Sequence, residues 1–381
     1  MDCQHYNSYQ CRSCQWLDTS YTQQLAKKEA ELLALLTPLA PPPLLATVSS
    51  PQLGFRYKAK MVVLGRAKQV KLGILSPKGK PVSICDCPLY PEQMQSVLQA
   101  LEDWLTTLNI APYDIKRRSG ELKYLLLNQN EVGVFMLRLV LRSEDSIPLI
   151  TAALPDLLSA YPQIETVSAN IQAVHAAILE GPVERLLQGT PWLRQTLNGI
   201  PLYQRPKGFF QTNPNVAEKL YATAARWLST LPIHHIWDLY CGSGGFGLHC
   251  LTPERTLSGI EIEAEAIACA MRSAKELGLE SKVNFRALDS AAFTDKKASN
   301  ADTIAAPDII IVNPPRRGLG SALCEDLCAI NPPYILYSSC NPQTLAKDLI
   351  QLPSYRIQTV QLFDMFPNTA HYEVLVLLAR I

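Results

Sequence analysis

The chain of 381 residues carries 35 Lys and Arg against 34 Asp and Glu, a formal net charge of +1, with 48% hydrophobic and 18% charged residues. That balance excludes a disordered chain, no apolar run reaches the roughly 18–20 residues of a membrane helix, and the polar start MDCQHYNSYQCRSC lacks the apolar core of a signal peptide. At about 150 residues per domain, the length predicts two or three domains of a soluble cytoplasmic protein.

The first 18 residues read as a cysteine-rich loop. TQQLAKKEAELLALL follows, with leucine and alanine at helical spacing. Pro38, Pro41, Pro42, Pro43 and Pro51 then form a stiff connector. From Phe55 to Leu75 the pattern is strand-like, closing at the turn SPKGKP. Between Phe55 and Lys80 stand eight basic residues (Arg56, Lys58, Lys60, Arg66, Lys68, Lys71, Lys78, Lys80) and no acidic one, and Lys116, Arg117 and Arg118 add a second cluster. A neutral whole with a basic segment fits either one face set against phosphates or a solvated strand surface. CDCPLYP precedes a helix over Glu92–Leu108, and LKYLLLNQNEVGVFMLRLVLR reads as a hairpin across Asn128–Gly133. A further helix and strands run from Pro148 to about Gln204.

After Gln211 the pattern changes to strands alternating with helices, which predicts a parallel, doubly wound α/β sheet with its loops gathered along one rim. Gly242-Ser-Gly244-Gly-Phe-Gly247 satisfies G-x-G-x-x-G between a strand and a helix, and Glu261 stands 19 residues beyond Gly242, where it can meet ribose hydroxyls. The turn fits a dinucleotide or S-adenosylmethionine. Asp238 and Cys241 at the strand end tilt it towards the sulfonium cofactor, because a pyrophosphate disfavours another negative charge. The rigid Asn-Pro-Pro after DIIIV presents Asn313 beside a methyl donor.

Cys340, in Tyr337-Ser-Ser-Cys-Asn-Pro-Gln-Thr, ends a strand on the same rim, and a helix N-terminus there favours the thiolate. Glu373 opens the apolar strand VLVLLARI and can take a proton from carbon if burial tunes its pKa. His234, His235, His249 and His371 lack metal spacing and read as structural. Of eleven cysteines, five lie early, at Cys3, Cys11, Cys14, Cys85 and Cys87, and none falls in the 153 residues before Cys241. Four early thiolates can hold zinc or an iron–sulfur cluster, and the spacing leaves the two open.

FFQTNP (209–214), DLYCGSGGFGL (238–248), GIE (259–261), NPPRRG (313–318), SSCNPQT (338–344) and HYE (371–373) together resemble the RNA uracil-C5 methyltransferases. CQHYNSYQCRSC with CDCPLY resembles the four-cysteine [4Fe–4S] site of that family. The chain starts at those cysteines, leaving no upstream room for the small RNA-binding barrel that some members carry. That short form, with FRYKAKMVV, GELKYLLL and LFDMFPNTAHYEVL, resembles the members acting on 23S rRNA.

The resemblance implies residues 1–90 as a cysteine-rich [4Fe–4S] segment with basic strands and 91–205 as a central α+β RNA-binding domain. It implies 206–381 as a Rossmann-like S-adenosylmethionine-dependent methyltransferase domain. Gln211, Tyr240, Glu261 and Asn313 would contact S-adenosylmethionine, with Asp289 near the adenine. Cys340 would be the nucleophile, Glu373 the base, and Cys3, Cys11, Cys14 and Cys87 the cluster ligands. The implied partner is a single-stranded or loop uridine of 23S rRNA, met by a monomer without a membrane. A tRNA uridine is the nearer alternative. An iron–sulfur nicotinamide oxidoreductase and a non-catalytic RNA-binding factor are the more distant ones.

Overall fold

Strand DIIIV sends Ile309 and Ile311 to one side of a sheet and Ile310 and Val312 to the other, and all four are fully buried. A strand apolar on both faces needs helices on both faces, and the computed structural model, which describes residues 2–176, 178–290 and 305–381, has them. The chain packs as two units. One comprises Met1–Cys14, Gln52–Gln195 and Arg205–Lys207; the other comprises Gln15–Pro51, Thr196–Gln204 and Gly208–Ile381.

The second unit holds an eight-stranded sheet in the order Leu45–Val48, Tyr355–Phe363, Glu373–Arg380, Tyr334–Ser339, Ile309–Val312, His235–Leu239, Thr256–Glu261, Val283–Ala287. The strands from Tyr334–Ser339 to Val283–Ala287 run parallel. Glu373–Arg380 runs antiparallel to both its neighbours, unlike the all-parallel expectation. The nine residues 364–372 that lead into it are fewer than the dozen or so a parallel crossover needs. Leu45–Val48 extends the sheet at the edge next to Tyr355–Phe363, where the sequence suggested only a proline connector. An edge strand has one free side, so the prolines before it cost no ladder hydrogen bonds. Leu32 and Leu36 of helix Tyr21–Leu36 join Ile310, Val312 and Ile335 under one face, while Leu220 and Trp227 of helix Pro214–Ser229 pack with Ile309, Ile311 and Leu336 under the other.

The first unit is a seven-stranded sheet ordered Pro81–Ser83, Gln69–Leu75, Lys58–Arg66, Leu122–Gln129, Phe135–Leu141, Ile164–Ile171, Val183–Gln188. Helix Ile147–Ala160 joins its one parallel pair. Leu98, Leu101 and Leu105 form the apolar stripe of helix Glu92–Thr107 and close the core over Met61, Leu72 and Leu125. Among the described residues no helix is long and apolar enough to cross a membrane.

Candidate active site

Parallel strands deliver their C-terminal loops to one rim. The loop after Tyr334–Ser339 is Cys340-Asn341, where Asn341 Oδ1 accepts the Gln343 N–H at 3.2 Å and caps helix Pro342–Ile350. Ser339 pairs with Val374 in the antiparallel ladder, so the next register step sets Glu373 opposite Cys340. The partly buried Cys340 opens into a cavity of about 300 Å³ whose wall also includes Glu31, Arg316, Asn341, Gln343 and His371.

Glu373 is 3% exposed, and Ser338 Oγ donates to its Oε1 at 2.5 Å. Burial raises its pKa to about 7, against the Ser338 hydrogen bond, which favours the carboxylate. Burial and the charge of Glu373 push the Cys340 thiol up, while Arg316 pulls it down through its charge and a hydrogen bond. The sequence assigned thiolate character to the helix N-terminus; the structure gives the opposite direction, because desolvation dominates and the opposing charge comes from Arg316.

Gly242 and Gly244 take φ of +52° and +86°, and Tyr240 lies in the left-handed region at +67°. A Cβ on Gly242 would meet no atom within 4 Å, so this backbone faces open space, as a turn cradling a nucleoside must. Glu261 Oε2 accepts the Gly242 N–H at 3.2 Å and Oε1 accepts that of Glu263 at 3.1 Å, bringing the carboxylate against the glycine turn. Tyr240 bonds to Ser290 and feels the charge of Asp289, so those residues share one corner. Gln211 is buried just before Asn213, whose side chain accepts the Val216 N–H at 3.3 Å and caps helix Pro214–Ser229. Asn313 follows the strand Ile309–Val312 on the rim, partly buried.

Asp238 is not on that rim. It is 1% exposed and points under the turn, with Oδ2 accepting the Gly247 N–H at 2.9 Å and Oδ1 buried without a partner. Burial lifts its pKa to about 7, and the buried Cys241 thiol is pushed well above its ordinary value. These two residues therefore brace the loop from below, and the charge argument drawn from them for the ligand does not hold. Sequence reasoning also passed over Arg316 and Glu31, and read as merely structural a His371 that lines the cavity. The doubled arginine of NPPRRG was the available signal for Arg316, whereas Glu31 reaches the cavity only through the docking of its helix. His235 and His249 are held by Thr256 and by the Gly245 and Leu197 carbonyls, as structural histidines.

In the first unit, Cys3, Cys11, Cys14 and Cys87 lie near one another: burial first, and then the charges of the companion thiols, raise Cys14 to about 11 and Cys87 to about 12. Cys85 faces away, buried against the Leu72 carbonyl and Glu102. The turn Ile84–Cys87, closed by a 3.1 Å backbone hydrogen bond, separates the two thiols. No three His, Cys, Asp or Glu among the described residues stand in ready-made metal geometry. The donor set of four neighbouring thiols has the chemistry of a cluster or zinc site, without its closed geometry.

Residues 195–381 match the family described as tRNA (Uracil-5-)-methyltransferase. The crystal structure of Pyrococcus abyssi tRNA (uracil-54, C5)-methyltransferase superposes with a TM-score of 0.79 at 24% identity, covering 96% of this chain and 85% of that one, and shares the fold. The 23S rRNA (uracil(747)-C(5))-methyltransferase RlmC of Shewanella loihica is 53% identical over 382 residues, covering 100% of both chains. Those of Pectobacterium carotovorum and Salmonella typhi are 52% and 50% identical, again over 100% of both. Identity of this order from end to end means that the chain belongs to the RNA uracil-C5 methyltransferase family, with the α/β fold of an S-adenosylmethionine-dependent methyltransferase.

Proposed function

We propose that the chain transfers a methyl group from S-adenosylmethionine to C5 of a uridine in 23S rRNA, uracil-747, through a covalent adduct between Cys340 and the RNA base. The observation that carries the reading is Cys340 at the mouth of the cavity, with Arg316 bonded to it and Glu373 across the ladder. The substrate follows the full-length relatives, and it carries with it a cytoplasmic site of action for a monomer. Residues 1–90, 91–205 and 206–381 divide the work into cluster segment, RNA grip and catalysis, except that Gln15–Pro51 of the first stretch packs in the catalytic unit.

Arg316 stabilises the Cys340 thiolate, which adds to uracil C6 and leaves the electron pair on C5 as an enolate. When bound, S-adenosylmethionine supplies the electrophilic methyl to that carbon. Glu373, poised near neutrality, then removes the C5 proton, and the electron pair expels the Cys340 thiolate to give 5-methyluridine. The Gly242 turn, Glu261, Tyr240, Gln211, Asn313 and Asp289 would hold the cofactor. Uridine must be unstacked to reach Cys340, which favours a loop target. Cys3, Cys11, Cys14 and Cys87 would hold a [4Fe–4S] cluster with a structural or RNA-shaping part, since no step needs an electron.

Covalent trapping tests the reading. On a 23S rRNA fragment bearing 5-fluorouridine, fluorine cannot leave as a proton does, so wild type accumulates a denaturation-resistant adduct and Cys340→Ala gives none while still binding S-adenosylmethionine. An adduct formed by Cys340→Ala, or one formed on a tRNA substrate in place of the rRNA fragment, overturns the nucleophile or the substrate respectively.

A further inference from the structure

Tyr21, Gln24, Lys28 and Glu31 recur at steps of three, four and three residues along helix Tyr21–Leu36 and so share one face. Lys28 is 0% exposed and Gln24 1%. Burying an ammonium and an amide is costly unless every polar atom is met; here Lys28 is met by one short stretch, residues 364–371, and Gln24 by that stretch together with the Trp16 and Thr19 carbonyls at 3.1 and 2.9 Å. Lys28 Nζ donates to Asp364 Oδ1 at 2.6 Å, to the Phe366 carbonyl at 3.2 Å and to the His371 carbonyl at 3.0 Å. Tyr21 donates to the other Asp364 oxygen at 2.8 Å. Gln24 grips Asn368 twice, accepting its N–H at 2.7 Å and donating to its Oδ1 at 3.1 Å. Asn368 sits in the left-handed region at φ +64°, a conformation that needs such holding.

Of the carbonyls in this stretch, those of Phe366 and His371 accept from Lys28, that of Met365 from Asn213 and that of Asn368 from the Trp16 N–H, so the helix supplies part of what a ladder would. It leads within two residues from His371 to Glu373. We infer that Lys28 and Gln24 are positioning residues: they fix the approach of the chain to Glu373 and so set where its carboxylate stands against the C5 proton. The inference rests on Glu373 being the base. Lys28 and Gln24 bond to the stretch 364–371 and not to Cys340, so the release step is the one chiefly affected.

The test uses the full-length protein in two variants: Lys28→Met combined with Asp364→Asn, which leaves no charge buried alone, and Gln24→Leu, which keeps the ion pair. Glu373→Gln is the reference. Single-turnover reactions on the 23S rRNA fragment follow adduct formation and adduct decay to 5-methyluridine separately, with S-adenosylmethionine binding measured by equilibrium dialysis. Cofactor affinity and adduct formation should stay within about twofold of wild type, while decay slows about tenfold, as expected for a misplaced proton acceptor. Both steps slowing alike, or neither slowing, overturns the inference. Should the double variant not fold, the same two outcomes are read from Gln24→Leu alone. Wild-type decay in Glu373→Gln defeats the assignment of the base itself, and slow decay there with normal decay in the stripe variants defeats only the positioning role.

Discussion

Glu373 is held where a carboxylate is costly, and its cost has a pH signature. Its pKa is about 7 in the fold against an ordinary value of 4.5, so the folded protein binds this proton more tightly than the unfolded chain. The stability it contributes is complete below about pH 4.5 and is lost as pH rises through about 7. Glu373→Gln, which mimics the neutral form, should therefore come within about 1 kcal/mol of wild type in urea unfolding at pH 5 and exceed it by about 2–4 kcal/mol at pH 8. A gain at pH 5 as large as that at pH 8 would remove burial of charge as the cause. Ser338→Ala deletes the hydrogen bond that favours the carboxylate, so the pH profile of adduct decay should shift to higher pH, and an acid shift would count against it. The strand-end places of Cys340 and Glu373 were legible in the sequence, from the apolar runs beside them. Asp238 was misread for the same reason: a strand-end carboxylate faces the rim or the loop's underside according to a register the sequence does not print. Arg316 sits in a loop without periodicity, so only the folded chain shows it bonded to the thiol.

At the scale of the element, the loop 313–320 carries Arg316 and is tied to helix Pro342–Ile350. Asp348 Oδ2 accepts the Leu319 N–H at 2.8 Å and the Tyr337 hydroxyl at 2.6 Å, and Asn341 Nδ2 donates to the Arg316 carbonyl at 2.9 Å. Gly318, at φ +80°, lets the loop pass so close to Asp348 that a Cβ would lie 2.5 Å from its oxygen. Asp348→Ala strands two buried donors and should cost about 2–4 kcal/mol in chemical unfolding. It should also free Arg316, slowing adduct formation while adduct decay stays as it was; slowed decay with normal formation would break the link from Asp348 to Arg316. The alternation of helices with strands after Gln211 was legible, since amphipathic spacing marks the helices. The strand Leu45–Val48 and the antiparallel Glu373–Arg380 were not. The first hides behind prolines, and the direction of the second depends on the length of one connection rather than on its own apolar pattern.

Across the whole molecule, the charge count promised more than the fold delivers. Antiparallel pairing returns the chain on itself, so Arg66 and Lys68 flank one hairpin turn while Lys78 and Lys80 lie in the turn at the opposite end of strand Gln69–Leu75. Lys71 is spent on Glu102 at 3.0 Å, and Lys58 is half-buried with its charge disfavoured by desolvation. The eight cations are thus spread over both ends of these hairpins with two of them drawn off, a fact that depends on pairing and not on composition. The cysteines run the other way. Spacing left Cys85 and Cys87 equal, and the fold separates them, one buried against Glu102 and the other beside Cys3, Cys11 and Cys14. If the four thiols hold the proposed cluster, anaerobically purified Cys87→Ser should lose iron and the visible sulfur-to-iron absorption, whereas Cys85→Ser keeps both; the reverse pattern would exchange their roles. Cys340, Glu373 and the glycine turn belong to the other unit, with its own apolar core. Cys87→Ser should for that reason still bind S-adenosylmethionine, and any methylation it loses falls on the engagement of RNA rather than on the chemistry.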